Sequence, residues 1–170
     1  MSIVYLGLGT NLGDKKQNLN RAVQQISLEV GRVLNVSSIY QSKPWGFDSE
    51  NDFLNAVLVV QTELAPLDLL EKTQQIERKL GRLSKIKKGY SDRLIDIDIL
   101  LYDNQVINLP QLIIPHKLLH KRDFVLMPLA ELAPKLVHPV LEKTMKELSE
   151  QVVNTTTILK DDERKKESSD

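Results

Sequence analysis

Apolar and polar positions follow two different periods along this chain, which predicts strands and helices in turn. β-Branched and aromatic residues cluster over 3–8 and predict a first strand. Apolar residues then recur at helical spacing from Leu19 to Ile26. Asp14, followed three residues later by Gln17, has the form of a helix N-cap. The first elements are therefore a strand and an amphipathic helix.

The next part of the chain predicts two strands, a second helix and a fourth strand. The strands cover 33–40 and 53–62 and are separated by a loop. The helix begins at Pro66, a residue that suits the first helical turn, and ends before Gly81. Its inward stripe consists of Leu69, Thr73, Ile76 and Leu80. Residues 94–101 predict the fourth strand.

Three glycines, Gly7, Gly9 and Gly13, lie in the run GLGTNLG near the first strand. Their spacing differs from the G-x-G-x-x-G dinucleotide fingerprint, and the chain has no G-x-x-x-x-G-K-[ST] phosphate loop. We therefore interpret these glycines as a turn between strand and helix.

The order strand, helix, strand, strand, helix, strand predicts an α+β fold of the ferredoxin-like βαββαβ type. Its helices would cover one face of an antiparallel sheet and leave the other face open for a ligand. A C-terminal extension follows, with a short strand over 105–107 and helices over 124–132 and 145–152. We expect a single domain over 1–157 and a charged, disordered tail over 158–170.

Composition narrows the class of protein. The absence of cysteine excludes disulfides, thiolate zinc sites and a cysteine nucleophile. No apolar run is long enough to span a membrane, and the N-terminus lacks the features of a signal peptide. We therefore expect a soluble cytoplasmic protein. The 23 basic and 23 acidic residues balance, which argues against a surface that binds nucleic acid or membrane as a whole.

Two aspartates interrupt the apolar fourth strand, LIDIDILL. Because side chains alternate between the faces of a strand, Asp96 and Asp98 share one face. The residues expected on the opposite, core face are Ile95, Ile97, Ile99 and Leu101. Mg²⁺ is typically held by one or two carboxylates together with substrate phosphates. We favour a site for one or two Mg²⁺ ions over an exposed polar face, because the strand is otherwise so apolar.

A cationic segment lies directly before these aspartates. Residues 78–93 hold seven cations and one acid, which leaves 16 cations and 22 acids elsewhere. The cations are Arg78, Lys79, Arg82, Lys85, Lys87, Lys88 and Arg93. Phosphoryl-transfer sites combine metal-binding carboxylates with such cations. A helix C-terminus explains the cations only as far as Arg82, and a nucleic-acid patch is less favoured because the chain has only eight aromatic residues.

A third feature is His116, which follows a proline and lies six residues before Arg122. A lone histidine in such a turn is usually structural. With Arg122 close by, it is also a candidate for contacts with phosphate oxygens. The other two histidines give no metal-binding spacing with it.

Taken together, these segments resemble the 6-hydroxymethyl-7,8-dihydropterin pyrophosphokinases of folate biosynthesis. The matching runs, in order, are YLGLGTNLGD, VSSIYQSKPWG, DFLNAV, IERKLGR, DRLIDIDILLYDNQVI and IPHKLLHKRDFVLMPLAELAP. The resemblance covers residues 3–150 and implies a ferredoxin-like fold. It also implies transfer of pyrophosphate from ATP to the pterin hydroxymethyl group, with release of AMP. The substrates would be small molecules, with no nucleic acid or membrane partner, and the protein a monomer.

The resemblance also implies roles for individual residues. Asp96 and Asp98 would hold two Mg²⁺ ions, and the catalytic set would be Arg82, Arg93, Asp96 and Asp98. Phe53 and Phe124 would sandwich the pterin, whose full set of contacts would be Ser42, Lys43, Pro44, Trp45, Phe53, Asn55 and Phe124. The ATP contacts would be Gln74, Glu77, Arg82, Lys85, Lys88, Arg93, Ile99, His116 and Arg122.

The chain departs from the family in the loop before the fourth strand. Residues 87–93 read KKGYSDR where the family commonly has a Trp-Gly-Pro-Arg run. Tyr90 is the candidate replacement for the tryptophan. A second family arginine corresponds to Ser84, and Lys85, Lys87 or Lys88 would supply the missing charge.

Two other functions remain open at this stage. One is another two-metal phosphate enzyme on a similar sheet, such as a nucleotidyl transferase, which would release pyrophosphate. The other is a small nucleic-acid-binding module that uses the basic loop and the open sheet face, with salt-dependent RNA binding.

Overall fold

The structure, a computed structural model, describes residues 1–81 and 94–159. Strands and helices alternate in the first part, and a mixed segment follows. The strands are β1 (Ser2–Thr10), β2 (Gly31–Val36), β3 (Tyr40–Ser42), β4 (Phe53–Thr62), β5 (Asp96–Tyr102), β6 (Ile107–Leu109), β7 (Leu112–Ile114) and β8 (Thr157–Ile158). The α-helices are α1 (Lys15–Glu29), α2 (Pro66–Lys79), α3 (Asp123–Leu132) and α4 (Met145–Gln151), and a 3₁₀ turn covers Leu119–Lys121.

The main sheet is antiparallel and has the order β5-β1-β4-β3-β8, with β2 also paired to β4. Because β2 and β3 pair with successive parts of β4, they act together as one edge strand of the βαββαβ unit. This arrangement confirms the predicted ferredoxin-like α+β fold. A separate hairpin of β6 and β7 follows β5, so the short strand predicted over 105–107 begins two residues later, at Ile107.

Helices α1 and α2 cover one face of the sheet, as predicted. The Asp14 side chain caps α1 by accepting a hydrogen bond from the Gln17 backbone nitrogen at 3.2 Å. Gly81 ends α2 with a positive φ of 111°, a conformation that glycine adopts without steric cost. The core between sheet and helices is built from alternate strand residues and one stripe of each helix; it includes Val4, Leu6, Leu8, Leu58, Leu19, Ile26, Leu69 and Ile76.

The second face of the sheet is partly covered, whereas the sequence predicted an open face. Helices α3 and α4 pack against Val57 of β4 and Leu100 of β5 and form a second apolar cluster there. Leu126 and Leu129 of α3 are fully buried in it. Within 1–81 and 94–159, the part of this face nearest the N-terminus of α3 thus stays available to a ligand.

The predicted strand over 33–40 is two strands, because a serine interrupts it. The Ser37 backbone nitrogen donates to the Val57 carbonyl at 2.9 Å, and its side-chain oxygen accepts from the Val57 nitrogen at 2.9 Å. A side chain thus takes the place of a backbone acceptor, and regular pairing resumes only at Tyr40. The break redirects the chain toward the end of β4.

Strand β5 also departs from strict alternation. Its pairing with β1 shifts register between Tyr5 and Leu6, so that Leu100 is an extra residue on β5. Such a bulge moves the side chains of the residues after it to the opposite face of the sheet. Leu101 therefore joins the second apolar cluster rather than the Ile97 and Ile99 side on which it was predicted.

The C-terminal segment returns to the sheet, since β8 pairs with β3. The predicted boundary between domain and tail, at 157/158, falls inside β8. Residues 160–170, most of the predicted tail, lie outside the described residues. Among the helices of the described ranges, none has the length and apolar character that a membrane span requires.

Candidate active site

A cavity of about 360 Å³ opens on the second face of the sheet, beside α3. Its floor is formed by β1, β4 and β5, and its rim by the loop after β3 and the turn before α3. Polar and aromatic side chains converge in it, with glycines below them. Such a concave, mostly apolar site with a few placed polar groups is typical of a small-molecule binding site.

Gly7 and Gly9 lie within β1 and form part of this floor, so their interpretation as a turn was wrong. Only Gly13 lies in the turn, with a φ of 69°. Gly7 is paired with Asp98 and Gly9 with Asp96. The absence of side chains at these two positions leaves space beside the carboxylates.

Asp96 and Asp98 face the cavity together, as alternation along the strand predicted. The pair fits a hard divalent cation, because two carboxylates lie beside a glycine floor and leave coordination positions for phosphate and water. Among residues 1–81 and 94–159, no group of three or more acidic or histidine side chains could hold a metal by itself. The described residues thus supply two carboxylates, and substrate phosphates and water are the other ligands that Mg²⁺ typically takes.

The position of β5 is fixed from the opposite face by a buried acid. Glu77 of α2 accepts a hydrogen bond from the Ile97 backbone nitrogen at 2.9 Å and is only 3% exposed. Ile97 lies between the two aspartates, so this contact anchors the segment that carries them.

The Arg122 guanidinium lies among the acidic and aromatic side chains of the cavity. Its Nη1 is 3.9 Å from Asp98 Oδ2. At this distance the two opposite charges attract each other, but the atoms are too far apart for a hydrogen bond. Its central carbon is 4.6 Å from the Trp45 ring centroid and 5.5 Å from that of Phe124. Arg122 thus contacts three parts of the cavity: the loop after β3, the start of α3, and β5.

The other end of the cavity is built around Asn55 on β4. Its Nδ2 donates to the Tyr40 carbonyl at 3.1 Å and to Ser42 Oγ at 2.8 Å. Because both donor contacts are internal, the amide orientation is fixed. The side-chain oxygen is directed toward the Gly9 floor, where a Cβ at Gly9 would lie 3.5 Å from it.

Phe53 and Phe124 line the same cavity, as predicted, and two further aromatic residues accompany them. Trp45 is one of these. The other is Phe47, whose ring packs edge-on against Phe53 with 6.1 Å between centroids. The cavity therefore has aromatic surface on the side of the β3–β4 loop and on the side of α3.

His116 lies where this cavity adjoins a second one. Its Nδ1 accepts from the Leu118 backbone nitrogen at 3.2 Å. Burial, and then the positive charge of Arg122, lower its pKa from 6.5 to about 4, against the opposing charge of Asp96. The imidazole is therefore neutral at pH 7, which makes Nε2–H a donor.

The second cavity has a volume of about 240 Å³ and lies between β5, α2 and the β6–β7 hairpin. Its apolar walls include Leu70, Ile99 and Leu112. Asp98, His116 and Lys117 line both cavities. Two ligands bound in the two cavities would therefore meet beside Asp98.

The structure brings most of the predicted site residues together. Those on the first cavity are Ser42, Lys43, Trp45, Phe53, Asn55, Asp96, Asp98, His116, Arg122 and Phe124. Ile99 lies on the second cavity. Pro44, Gln74 and Glu77 line neither cavity. Arg82, Lys85, Lys88 and Arg93 lie outside the described residues, as do Ser84, Lys87 and Tyr90.

Sequence reasoning did not find nine of the residues that line the first cavity, among them Gly7, Gly9, Phe47 and Lys117. The two glycines had a readable signal, because glycines two positions apart in a strand leave one face bare. Phe47 and Lys117 carried no local signal, since only the folded chain brings them to the cavity.

The chain is similar to known proteins of one family. The family described as 7,8-dihydro-6-hydroxymethylpterin-pyrophosphokinase (HPPK) matches residues 5–134. A 2-amino-4-hydroxy-6-hydroxymethyldihydropteridine pyrophosphokinase of Porphyromonas gingivalis is 50% identical over 141 residues, which are 82% of this chain and 95% of that protein. The enzyme of the same name from Aquifex aeolicus is 43% identical over 147 residues, covering 86% and 90% of the two chains.

A similar fold occurs in a solved structure, the HPPK-DHPS protein of Plasmodium falciparum. The TM-score is 0.73 at 19% identity, over 89% of this chain. The chain spans 43% of the length of that protein, so the likeness concerns one part of a longer chain and shows the fold. From the match over 5–134 and the identities of 43–50%, the chain belongs to the 7,8-dihydro-6-hydroxymethylpterin-pyrophosphokinase (HPPK) family.

Proposed function

We propose that this protein transfers pyrophosphate from ATP to the hydroxymethyl group of 6-hydroxymethyl-7,8-dihydropterin, releasing AMP, in folate biosynthesis. The observation that carries the proposal is the meeting of two cavities at Asp98, His116 and Lys117. Family membership and the names of the relatives give the substrates. The two cavities provide separate places for an acceptor and a donor.

The first cavity is the proposed pterin site. A flat heterocycle suits the aromatic surfaces of Phe53 and Phe124, which lie on different elements around one space. The Asn55 side-chain oxygen, with Nδ2 held by Tyr40 and Ser42, is the proposed acceptor for the amino edge of the pterin. Backbone groups around Ser42, Lys43 and Pro44 would supply further hydrogen bonds, and Trp45 would close the rim.

The second cavity is the proposed site for the nucleotide. Ile99 and its apolar neighbours give a surface for the base. Gln74 and Glu77 lie on the neighbouring helix α2. In this assignment Gln74 reaches the nucleotide from its exposed position, whereas the buried carboxylate of Glu77 acts by holding β5. His116 and Arg122 would contact the phosphates at the junction.

Asp96 and Asp98 are the proposed ligands for two Mg²⁺ ions that the triphosphate would bring with it. Magnesium bound there supplies positive charge to the phosphate oxygens. The carboxylates face the cavity beside Gly7 and Gly9, which leaves room for phosphate oxygens in the same coordination sphere.

In the reaction, the pterin hydroxyl oxygen attacks the β-phosphorus in line with the bond to the α-phosphate. The new O–P bond forms as the bond to the bridging oxygen breaks, and AMP leaves with the electrons of that bond. The hydroxyl proton is lost, and Asp96 and Asp98 are the carboxylates on the cavity wall that can accept it. The junction residues thus hold donor and acceptor in a fixed orientation, which is a large part of catalysis in phosphoryl transfer.

Arg82 and Arg93 are proposed to neutralise the charge that develops on the polyphosphate, with Lys85 and Lys88 as further contacts. These four residues lie outside the described residues, and their roles rest on the resemblance and on their charge. Arg122 and Lys117 are the described cations at the same place.

A single incubation tests the proposal. The purified protein is mixed with ATP, Mg²⁺ and 6-hydroxymethyl-7,8-dihydropterin, and the nucleotide products are separated. We expect AMP in equal amount to pyrophosphorylated pterin. Free pyrophosphate without AMP would indicate a nucleotidyl transferase, and salt-dependent RNA binding without nucleotide consumption would indicate a nucleic-acid-binding module.

Three finer features belong to the same proposal. Two Mg²⁺ ions per active site predict a second-order dependence of rate on free Mg²⁺ at low concentration. The proposed state is a monomer, for which light scattering should give a mass of 19.4 kDa. A cysteine-free sequence fits a reducing compartment, and cell fractionation would show whether the protein is cytoplasmic.

A further inference from the structure

The chain that follows α4 returns to β3 and to the start of α3, two elements that contribute residues to the proposed pterin cavity. We define residues 154–159 as the strap. The backbone nitrogen and the hydroxyl of Thr155 both donate to Asp123 Oδ2, each at 2.7 Å. Asp123 is the first residue of α3 and is only 9% exposed. The strap is therefore joined by two short hydrogen bonds to a buried carboxylate at the start of that helix.

The remainder of the strap is joined to β3, the strand that contributes Ser42 to the cavity. Thr157 and Ile158 pair with β3, and the Leu159 nitrogen donates to the Ile39 carbonyl at 2.8 Å. Around Thr155, the Asn154 side chain accepts from the Thr156 nitrogen at 2.9 Å and from its hydroxyl. The turn of the strap is thus fixed by its own hydrogen bonds.

Asp123 lies between two residues of the cavity, Arg122 and Phe124. Its second oxygen, Oδ1, accepts from the Phe124 backbone nitrogen at 2.8 Å. One carboxylate therefore binds the strap and the backbone that directs the Phe124 ring. A change in the bond to Thr155 would be transmitted to Phe124 through this single group.

On the other wall, β3 carries the groups that hold Asn55. The Tyr40 carbonyl and the Ser42 hydroxyl accept from Asn55 Nδ2, and Tyr40 is paired with Ile158 of the strap. The strap thus connects the Phe124 side of the cavity to the Asn55 side. It lies beyond residue 134, where the family match ends.

We propose that the strap sets the distance between the two walls of the pterin cavity, with Asp123 and Thr155 as positioning residues. This inference rests on the proposed function. The second cavity is formed by α2, β5 and the β6–β7 hairpin, and the strap pairs with none of these elements. The strap therefore controls affinity for the pterin and leaves affinity for ATP unchanged.

The test is Thr155→Val in the full chain. Valine keeps the shape and the backbone bond to Asp123 but removes the hydroxyl donor. Pterin binding is followed with 6-hydroxymethylpterin through the fluorescence of Trp45, the single tryptophan, which lines the cavity. We expect Kd for the pterin to rise about fivefold, because a hydrogen bond to a charged group is lost at one wall. In the AMP assay, KM for the pterin should rise similarly, with kcat and KM for ATP near the wild-type values.

Two variants serve as controls. Thr155→Ser retains the hydroxyl and should restore pterin affinity. Thr157→Val removes an exposed hydroxyl of the strap and keeps the backbone pairing with Gln41, and it should bind the pterin as the wild type does. Unchanged pterin affinity in Thr155→Val, or an equal rise in KM for both substrates, would overturn the positioning role.

The fluorescence measurement of pterin binding distinguishes a failure of this inference from a failure of the proposed function. Wild-type protein that forms no AMP contradicts the proposed reaction. In that case, pterin binding that weakens in Thr155→Val and recovers in Thr155→Ser still supports the strap, and binding that is equal in all variants overturns it.

Discussion

At the scale of single residues, the shape of the cavity depends on the glycines of its floor as well as on the side chains that line it. Gly9 has no positive φ, so its backbone would accept another residue. A Cβ built there would meet Asn55 Oδ1 at 3.5 Å and Phe53 at 3.6 Å, which are ordinary contacts. Glycine at this position is therefore explained by the space that it leaves above the sheet.

Gly9→Val should block the proposed pterin site and leave the fold intact. The added methyl groups would extend from the floor into the cavity, and valine favours strands. We expect KM for the pterin to rise at least about tenfold, which corresponds to about 1.4 kcal/mol of lost binding, with Tm unchanged or higher. Steady-state kinetics and thermal unfolding measure the two effects.

Gly31→Ala is the control for a glycine that is needed for the fold, because a Cβ at Gly31 would overlap the Gln61 carbonyl. That variant should lower Tm and leave KM for the pterin unchanged. A Gly9→Val enzyme with normal KM would contradict the assignment of the cavity.

Asp96→Ala and Asp98→Ala should each lower kcat at least about a hundredfold, because loss of a metal ligand removes several kcal/mol of charge stabilisation. Both side chains are partly exposed, so Tm should change little. AMP formation as a function of Mg²⁺ concentration measures the effect. Glu150→Ala, which removes an exposed acid of α4, is the control for charge. Near-normal turnover in both aspartate variants would rule out the metal assignment.

At the scale of elements, α3 connects the second face of the sheet to its edge. Glu131 near the end of this helix accepts from the Tyr40 hydroxyl at 2.7 Å. Its other oxygen accepts from the Ser38 nitrogen at 2.9 Å and from the Ser38 hydroxyl at 3.2 Å. The carboxylate thus satisfies polar groups in the gap between β2 and β3, and it raises the pKa of Tyr40 in addition to the effect of burial.

Glu131→Ala should lower the free energy of unfolding by about 3 kcal/mol, because hydrogen bonds to a charged acceptor are lost and the Tyr40 hydroxyl loses its partner. Urea denaturation measures this change. Tyr40→Phe should cost less, and the effects in the double variant should not add, since the two residues share one hydrogen bond. A loss below about 1 kcal/mol in Glu131→Ala would show that the contact contributes little.

At the scale of the whole molecule, stability should depend on pH through the half-buried His116 and the buried His138. Burial is the first cause of the lowered pKa of His116 and of His138. His138 Nδ1 also accepts from the Val140 and Leu141 nitrogens, at 3.2 Å and 3.0 Å. Below the ordinary pKa of 6.5, the unfolded chain therefore binds protons that the folded chain does not.

The sign of the effect follows from proton linkage: stability is complete at neutral pH and falls as the pH drops below the unfolded-state pKa. Tm should decrease between about pH 7 and pH 5. His138→Asn retains a side-chain acceptor but does not titrate, so its Tm should decrease less over the same range. Equal decreases in wild type and variant would contradict the contribution of His138.

The sequence by itself determined the order of strands and helices in the βαββαβ unit, the ferredoxin-like fold and the face shared by Asp96 and Asp98. These properties follow from local periodicity, because alternation in strands and recurrence in helices are carried by residues two to four positions apart. The ordered motifs also indicated the family, which the comparisons confirm. They named ten residues that the folded chain brings around one cavity.

Only the tertiary structure decided the break at Ser37, the bulge at Leu100 and the partial covering of the second face. Each depends on groups that are distant in sequence, such as Ser37 with Val57 or Asp123 with Thr155. Local periodicity carries no information about such pairs, because their hydrogen bonds form only when the fold brings them together. For the same reason Phe47 and Lys117 reach the cavity without a motif, and the two cavities meet at Asp98 only in the folded chain.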